Sequence, residues 1–155
     1  MDPRVFRIGL NLAPMMWCTG GKTTYISRDW HHWTIKLRRR LRTLNYVGTM
    51  FGGSLYSAVD PHYMLAFMHI LGKEYIVWDK AATIRFRRPA KCTLTCELVI
   101  PEGEVDAIKR LTREQPKLDR TYHLELKGPD GTVYCQVEKV LHFRWKKHPD
   151  NLQTV

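Results

Sequence analysis

Residues 45–61, NYVGTMFGGSLYSAVDP, hold residue types that can act on a carbonyl group. Gly52 and Gly53 stand before an apolar segment with helical spacing, and the unpaired N–H groups at a helix start can polarise a carbonyl oxygen. Glycines let a substrate approach that backbone closely, although they also suit a simple tight turn. The Gly53 amide is therefore the first candidate for an oxyanion site.

Asp60 puts a carboxylate inside the same apolar segment, where an ionised group is costly to bury. A carboxylate kept there can activate water as a base or attack as a nucleophile, and partial desolvation is expected to raise its pKa. The alternative is that Asp60 caps a helix whose first residue is Pro61. Because residues 54–59 already have helical spacing, we expect instead that Pro61 removes one helix hydrogen bond and bends the helix beside Asp60.

Two polar residues near Asp60 have competing interpretations. Asn45 could orient a water molecule or a carbonyl group, or it could be a turn residue before Gly48. Ser57 lies three residues before Asp60 on a nearby helix face, where it could position water or serve as a small packing residue.

The chain has 155 residues and a formal net charge of +10, which favours anionic partners such as nucleic acid, anionic membrane surfaces or phosphate-bearing molecules. The run RFRRPAK suits phosphate because the arginine fork matches phosphate geometry, and it equally suits a solvated basic strand edge. The residues predicted to bind phosphate are Arg85, Arg87, Arg88 and Lys91.

Other titratable residues point to structural roles. Asp79 and Lys80 are adjacent in a predicted strand and must face opposite sides, which favours an ion pair with another chain over catalysis. His62 and His69 are seven residues apart on one helix face and are interpreted as packing or hydrogen-bonding residues. The four cysteines form no complete zinc pattern, so we predict reduced thiols and no metal site.

The elements that must position these residues follow from the hydrophobic periods. Residues 20–30 are predicted to form one strand, and Trp33, Ile35, Leu37 and Leu41 alternate with polar residues as in a second strand. Residues 54–71 are predicted to form a buried helix that ends at Gly72. Residues 74–89 and 91–100 are predicted strands, residues 102–115 a short surface helix, and residues 120–145 a long β-hairpin around GPDG.

A single α+β domain over residues 1–155 follows, in which a curved antiparallel sheet wraps one long helix. Residues 1–19 are predicted to be an N-terminal extension with a short helix ending near Pro14, and residues 146–155 a frayed tail. No apolar run is long enough to span a membrane, and the N-terminus lacks the pattern of a signal peptide. We therefore expect a cytoplasmic protein.

The motif of residues 45–61 resembles the signature of hotdog acyl-CoA thioesterases of the phenylacetyl-CoA thioesterase type. Asn45, Gly48, Gly52, Gly53 and Asp60 fall at the family's positions, whereas the family's His-Gly-Gly is Phe-Gly-Gly here, with Phe at residue 51. The segments DPHYM and YIVWDKAATIRFRRP are similar to an uncharacterised bacterial subfamily of hotdog thioesterase-like proteins. The resemblance covers roughly residues 20–145.

The resemblance implies a hotdog fold and a site built from two subunits, with Asp60 facing the glycine turn of the partner chain. It therefore implies a homodimer or a dimer of dimers. The arginines would dock the nucleotide end of coenzyme A. The acyl chain would enter a slot lined by Tyr63, Met64 and Phe67 at the dimer seam.

The leading functional hypothesis is an acyl-CoA thioesterase that needs no metal or redox cofactor. The first alternative is a hotdog protein that binds acyl-CoA or another acyl ligand without hydrolysing it, because Phe51 replaces the family's histidine. The second alternative, a nucleic-acid-binding protein, rests on charge and basic strands alone, and no nucleic-acid motif supports it.

Overall fold

The computed structural model describes residues 1–151 and contains one six-stranded antiparallel sheet in the order β1-β2-β4-β5-β6-β3. The sheet strands are β1 (Gly21–Ile26), β2 (His32–Leu37), β3 (Tyr75–Phe86), β4 (Leu94–Val99), β5 (Leu118–Lys127) and β6 (Val133–Trp145). The helices are α1 (Pro3–Leu12), α2 (Pro14–Thr19), α3 (Gly52–Ser57), α4 (His62–Leu71) and α5 (Glu104–Glu114). The α+β architecture predicted from the sequence is confirmed, with two strands before the central helix and four after it.

The core lies between the sheet and helices α3 and α4. Phe67 of α4 is fully buried, and its ring centroid lies 5.0 Å from that of Phe143 and 5.1 Å from that of Tyr122. Alternate residues of β6 face the helices and alternate with polar residues on the outer face, as the period of two predicted. The predicted hairpin at GPDG joins β5 to β6.

The predicted central helix is interrupted rather than continuous. Helix α3 ends at Ser57 and α4 begins at His62, with Pro61 between them. The sequence predicted only a bend here, but proline has no backbone N–H and crowds the preceding turn, and the helix breaks completely. The two helices still cover the same face of the sheet.

The N-terminal residues form two helices, α1 and α2, where the sequence predicted one short helix ending near Pro14. Pro14 is the first residue of α2, so it starts a helix rather than only ending one. The side-chain amide of Asn11 bonds both backbone groups of Thr23, with Nδ2–O and Oδ1–N distances of 2.8 Å each. Helix α1 thus pairs with the outer edge of β1 at Thr23.

Several boundary predictions were wrong. The strand predicted over residues 20–30 ends at Ile26, and the strand predicted over residues 91–100 begins at Leu94. Strand β2 ends at Leu37 and residues Leu41–Thr43 form a 3₁₀ turn, so Leu41 is 92% exposed instead of facing the core. The tail was predicted to fray, but Pro149–Asn151 form a 3₁₀ turn in which the Asn151 amide bonds the carbonyl oxygens of Pro116 and Trp145. The remaining predicted tail, residues 152–155, lies outside the described residues.

The cysteines are free, as predicted, but only Cys96 and Cys135 are buried, whereas Cys92 is half-buried and Cys18 is exposed. No helix within residues 1–151 has the length and apolar character needed to cross a membrane.

Candidate active site

The helix break positions Asp60. Its backbone N–H still bonds the carbonyl oxygen of Tyr56 at 3.0 Å, but the chain then leaves the helix at Pro61. Helix α4 has no side-chain cap, so the alternative role of Asp60 as its N-cap is wrong. The carboxylate instead turns toward strand β6, and its side chain remains 41% exposed.

The partner of Asp60 is Lys139, a residue that the sequence analysis did not single out. The Lys139 Nζ atom lies 2.6 Å from Asp60 Oδ1 and 2.8 Å from the Asp60 carbonyl oxygen, and its side chain is 0% exposed. It occupies an inward position of β6 between Val137 and Leu141. A charge on the inner face of a strand is the signal that could have identified it, because buried lysines require partners.

Lys139 also contacts a second carboxylate. Asp79 Oδ1 lies 2.9 Å from Lys139 Nζ, so one ammonium group joins two carboxylates. Asp79 precedes an irregularity at Lys80 that shifts the register between β3 and β6. Such bulges re-aim side chains, and here Lys80 turns outward to pair with Asp119.

Asp79 and Lys80 therefore face opposite sides, as predicted. Both residues have ionic partners within their own chain, and the ion pair with another chain stays a prediction.

Burial and pairing act in opposite directions on these groups. Burial alone would raise the pKa of Asp60, but hydrogen bonds from Lys139 and Tyr56 outweigh it, so the pKa is lowered and not raised as expected. For Asp79, burial outweighs the contact with Lys139 and the pKa is raised. Burial lowers the pKa of Lys139, but the two carboxylates reverse this effect and keep the ammonium group charged. Asp60 is the more strongly ionised of the two acids.

The glycine pair begins helix α3. Within residues 1–151, the N–H groups of Gly52 and Gly53 donate no backbone hydrogen bond, as expected for a helix start. Neither glycine has a positive φ, so the turn itself does not require glycine here. Space is the constraint: a Cβ at Gly53 would overlap the ring of Phe51, and a Cβ at Gly52 would lie 2.8 Å from Phe86 Cζ.

A cavity of 410 Å³ opens beside this turn. It brings together several of the predicted residues, and its lining includes Asn45, Gly52, Leu55, Phe86, Arg87 and Arg88. The Asn45 side chain is already engaged in the turn: its Oδ1 accepts from the N–H of Thr49 at 3.0 Å, and its Nδ2 donates to Thr49 Oγ1 at 2.8 Å. Asn45 thus shapes the cavity wall through the turn it holds.

The other predicted arginine and lysine positions do not join this cavity as one patch. Arg85 faces the outer side of the sheet and lines a separate cavity of 310 Å³ with His123, Glu125 and Glu138. Lys91 is exposed. Only Arg87 and Arg88 of the predicted phosphate group lie beside the glycine turn.

The predicted acyl-slot residues lie deeper than expected. Tyr63 is buried and stacks on Tyr122 at a centroid distance of 4.8 Å, and Phe67 belongs to the core. Ser57 is half-buried at the end of α3, next to the break. Within residues 1–151, Tyr63 and Phe67 pack in the core and do not line the cavity at the glycine turn.

The two predicted histidines are structural. His62 Nε2 lies 2.9 Å from Thr23 Oγ1, its Nδ1 has no partner within residues 1–151, and complete burial lowers its pKa to about 4. His69 stacks on Trp30 at a centroid distance of 3.8 Å. Both agree with the interpretation as packing and hydrogen-bonding residues.

The chain matches a family model over nearly its whole length. The model is described as "Domain of unknown function (DUF4442)" and covers residues 3–142. The chain belongs to the DUF4442 family. No curated protein matches its sequence.

Solved structures share the fold of this DUF4442 chain. PA5026 from Pseudomonas aeruginosa, a protein of unknown function called a probable thioesterase, has a TM-score of 0.81 at 18% identity, with 93% of this chain and 96% of that chain covered. Thioesterase HI1161 from Haemophilus influenzae has a TM-score of 0.70 at 12% identity, with 96% and 95% covered. The Escherichia coli PaaI protein of the phenylacetic acid degradation operon has a TM-score of 0.64 at 16% identity, with 90% of each chain covered. The DUF4442 chain therefore has the thioesterase-like hotdog fold that the sequence predicted.

Proposed function

We propose that this protein hydrolyses an acyl-coenzyme A thioester, with Asp60 as the carboxylate that starts the reaction. The observation that carries the proposal is the anchored yet accessible Asp60: Lys139 holds one carboxylate oxygen at 2.6 Å while the side chain stays 41% exposed. Its lowered pKa keeps it ionised at neutral pH. The fold shared with proteins called thioesterases supports the same reaction class.

A second chain supplies the other half of the proposed site. Asp60 follows Gly53 by seven residues, which is about 10 Å along a helix, too far for one carbonyl group to contact both. We propose a homodimer in which the thioester carbonyl lies between Asp60 of one chain and the Gly53 amide of its partner. Arg87 and Arg88, beside the cavity at the glycine turn, would bind coenzyme A phosphates.

The proposed chemistry follows from these groups. Asp60 takes a proton from a water molecule whose oxygen attacks the thioester carbon, or its own oxygen attacks that carbon. The carbonyl oxygen becomes an oxyanion that the Gly53 N–H stabilises. The C–S bond then breaks, and coenzyme A leaves as the thiolate. When water attacks, the carboxylic acid forms directly and Asp60 gives up the proton it took to the leaving thiolate or to solvent. When Asp60 attacks, the acyl group remains on its oxygen as an anhydride, which a water molecule hydrolyses to release the carboxylic acid and restore the carboxylate. No metal or redox cofactor takes part in this scheme.

The test is thiol release from short, medium, long and aryl acyl-CoA substrates by the wild type, Asp60→Asn and Asp60→Ala. We expect hydrolysis to fall about 100-fold or more in both variants, since the group that starts the reaction is removed. Asp119→Asn is the matched control, because Asp119 is also paired with a lysine but lies on the outer face. Wild-type activity that survives in both Asp60 variants would rule out the assignment.

Phe51 favours a second candidate, a non-catalytic acyl-ligand-binding protein. Its ring occupies the space that a Cβ at Gly53 would take, so it crowds the start of α3 where a carbonyl group would have to bind. If the wild type binds acyl-CoA without hydrolysing it, the binding function replaces the enzymatic one. Phe51→Ala then separates the causes: hydrolysis that appears only in this variant identifies the ring as the obstacle.

A further inference from the structure

Helix α1 has two apolar faces, and within residues 1–151 only one of them contacts the rest of the protein. Leu10 is buried, and Phe6 packs edge-on against Trp30 at a centroid distance of 5.3 Å. On the opposite side Val5, Ile8 and Leu12 are each more than half exposed. Their spacing of three and four residues aligns them along one stripe.

Exposed apolar side chains also lie on two neighbouring elements, α2, which contacts α1, and the 3₁₀ turn, which contacts α2. Met15 and Trp17 of α2 and Leu41 of the 3₁₀ turn are also largely exposed. Leu12 and Trp17 line one cavity of 320 Å³. We name this surface the N-terminal face, and it consists of Val5, Ile8, Leu12, Met15, Trp17 and Leu41.

Basic residues lie beside the N-terminal face, at the end formed by Leu12 and Trp17. Lys22, Arg38, Arg40 and Arg42 line the cavity of Leu12 and Trp17, and the Arg42 guanidinium lies 5.3 Å from the centre of the Trp17 ring. Residues 36–42 contain five basic residues and no acidic one, and residues 1–22 contain three basic residues and one acidic residue, Asp2. Asp2 caps helix α1 through the N–H of Arg4.

We infer that the N-terminal face docks on the surface of an anionic lipid bilayer. Exposed leucine, isoleucine and tryptophan side chains next to a cluster of arginines are the combination by which surface helices bind such bilayers. The apolar stripe enters the boundary between headgroups and acyl chains, and the arginines bind the phosphates. The inference is independent of the proposed hydrolysis.

Other occupants fit these observations less well. A symmetric contact with a second copy would place the same cluster of basic side chains against itself, with Asp2 as the nearest acid in sequence. Nucleic acid would complement the arginines but would leave Val5, Ile8 and Leu12 without a partner. A bilayer with anionic headgroups can bind both the apolar stripe and the arginines.

The test is co-sedimentation of the full-length protein with vesicles of phosphatidylcholine alone and of phosphatidylcholine mixed with phosphatidylglycerol. We expect binding to the mixed vesicles only, weakened by salt. Ile8→Ser with Leu12→Ser should reduce it at least about tenfold, as should Arg38→Gln with Arg40→Gln and Arg42→Gln. Because all these side chains are exposed, circular dichroism should show a folded protein in each case.

Matched controls use similar side chains elsewhere. Val99→Ser removes an exposed apolar side chain from β4, and Lys109→Gln with Arg110→Gln removes two charges from α5; neither should alter vesicle binding. Equal binding to neutral vesicles, or binding that the Ile8 and Leu12 substitutions leave unchanged, would overturn the inference. So would an oligomer without vesicle affinity that these substitutions dissociate, or oligonucleotide binding that depends on the arginines alone.

Discussion

At the residue scale, Lys139 is the main determinant of the site, because one buried ammonium group balances two carboxylates. Lys139→Met keeps much of the side-chain length and removes the charge. We expect it to lower the free energy of unfolding at pH 7 by about 3 kcal/mol, the low end for breaking a buried pair, since both carboxylates are partly exposed. Urea unfolding monitored by circular dichroism measures this difference.

A matched control and a pH series make the Lys139 prediction specific. Lys80→Met removes the exposed partner of Asp119 and should cost about 1 kcal/mol or less. The loss in free energy of unfolding caused by Lys139→Met should be smaller in acid, because protonated Asp60 and Asp79 no longer need a cation. A deficit that is the same at pH 7 and in acid would show that lost packing, not charge, is responsible.

His62 makes a second residue-scale prediction, which concerns pH. Its folded-state pKa of about 4 lies below the ordinary value of 6.5, so in this interval the unfolded chain binds a proton that the folded chain excludes. The contribution of His62 to stability is complete above pH 6.5 and is lost as the pH falls toward 4, by about 3 kcal/mol in total. His62→Gln should remove this part of the acid sensitivity in urea unfolding at the two pH values.

The control for the histidine experiment is His123→Gln, because His123 is exposed on the outer face of β5. It should lose stability in acid like the wild type. If His62→Gln also does so, then the histidine does not carry the effect.

Individual residues show what the sequence could and could not predict. The positions of Asp60 and the glycine pair were readable because proline, glycine and a lone carboxylate break an apolar pattern. Lys139 interrupts an equally regular pattern in β6 but was missed, since its partners lie 79 and 60 residues away along the chain. The sign of the Asp60 pKa shift depended on that unseen partner.

At the element scale, a substitution at the start of α3 can test why Gly53 is a glycine. The residue could be needed for a substrate to approach the backbone closely, or only for the turn. Gly53→Ala puts a methyl group where the exposed Phe51 ring now lies, without any positive φ to strain. We expect the free energy of unfolding to change by about 1 kcal/mol or less, while hydrolysis falls roughly tenfold or more because the substrate carbonyl is held away from the amide. Unfolding and thiol-release assays on the same samples separate the two effects.

Gly9→Ala is the control for that substitution. Gly9 is inside α1 with nothing near its missing Cβ, so alanine should stabilise the helix by about 0.5–1 kcal/mol and leave hydrolysis unchanged. Equal activity of Gly53→Ala and the wild type would remove the Gly53 amide from the mechanism.

Element order and type were predictable because each strand or helix has its own hydrophobic period. Boundaries were less so: Leu41 continues the alternation of β2 in sequence, but the chain has already left the sheet at Leu37. The burial of Tyr63 and Phe67 depends on their packing against β5 and β6. A local sequence pattern does not predict contacts with such distant strands.

At the scale of the whole molecule, strand β3 is the open edge of the sheet. Residues 80–83 are exposed along it, and the proposed dimer would pair here. Ala81→Lys with Thr83→Lys would place lysine side chains of the two chains opposite each other where the β3 strands pair across a two-fold axis. We expect sedimentation equilibrium to show a dimeric wild type and a monomeric variant, with hydrolysis lost along with the dimer.

The same substitutions on an interior strand provide the comparison. Thr121→Lys with His123→Lys changes two exposed outer-face positions of β5. This variant should keep the dimer mass and the hydrolysis rate of the wild type. A wild type that is fully active as a monomer would refute the two-chain site.

The contact of Asn11 with Thr23 has a consequence for aggregation. A sheet with two bare edges can recruit further copies without limit and grow into a fibre. Here the Asn11 carboxamide pairs both backbone groups of Thr23 on the β1 edge, so an added strand would have to displace it, whereas residues 80–83 are exposed on the β3 edge. A dimer joined through its two β3 edges would leave the two β1 edges as the outer edges of the combined sheet. The Asn11 side chain would therefore hinder the addition of further molecules at those edges.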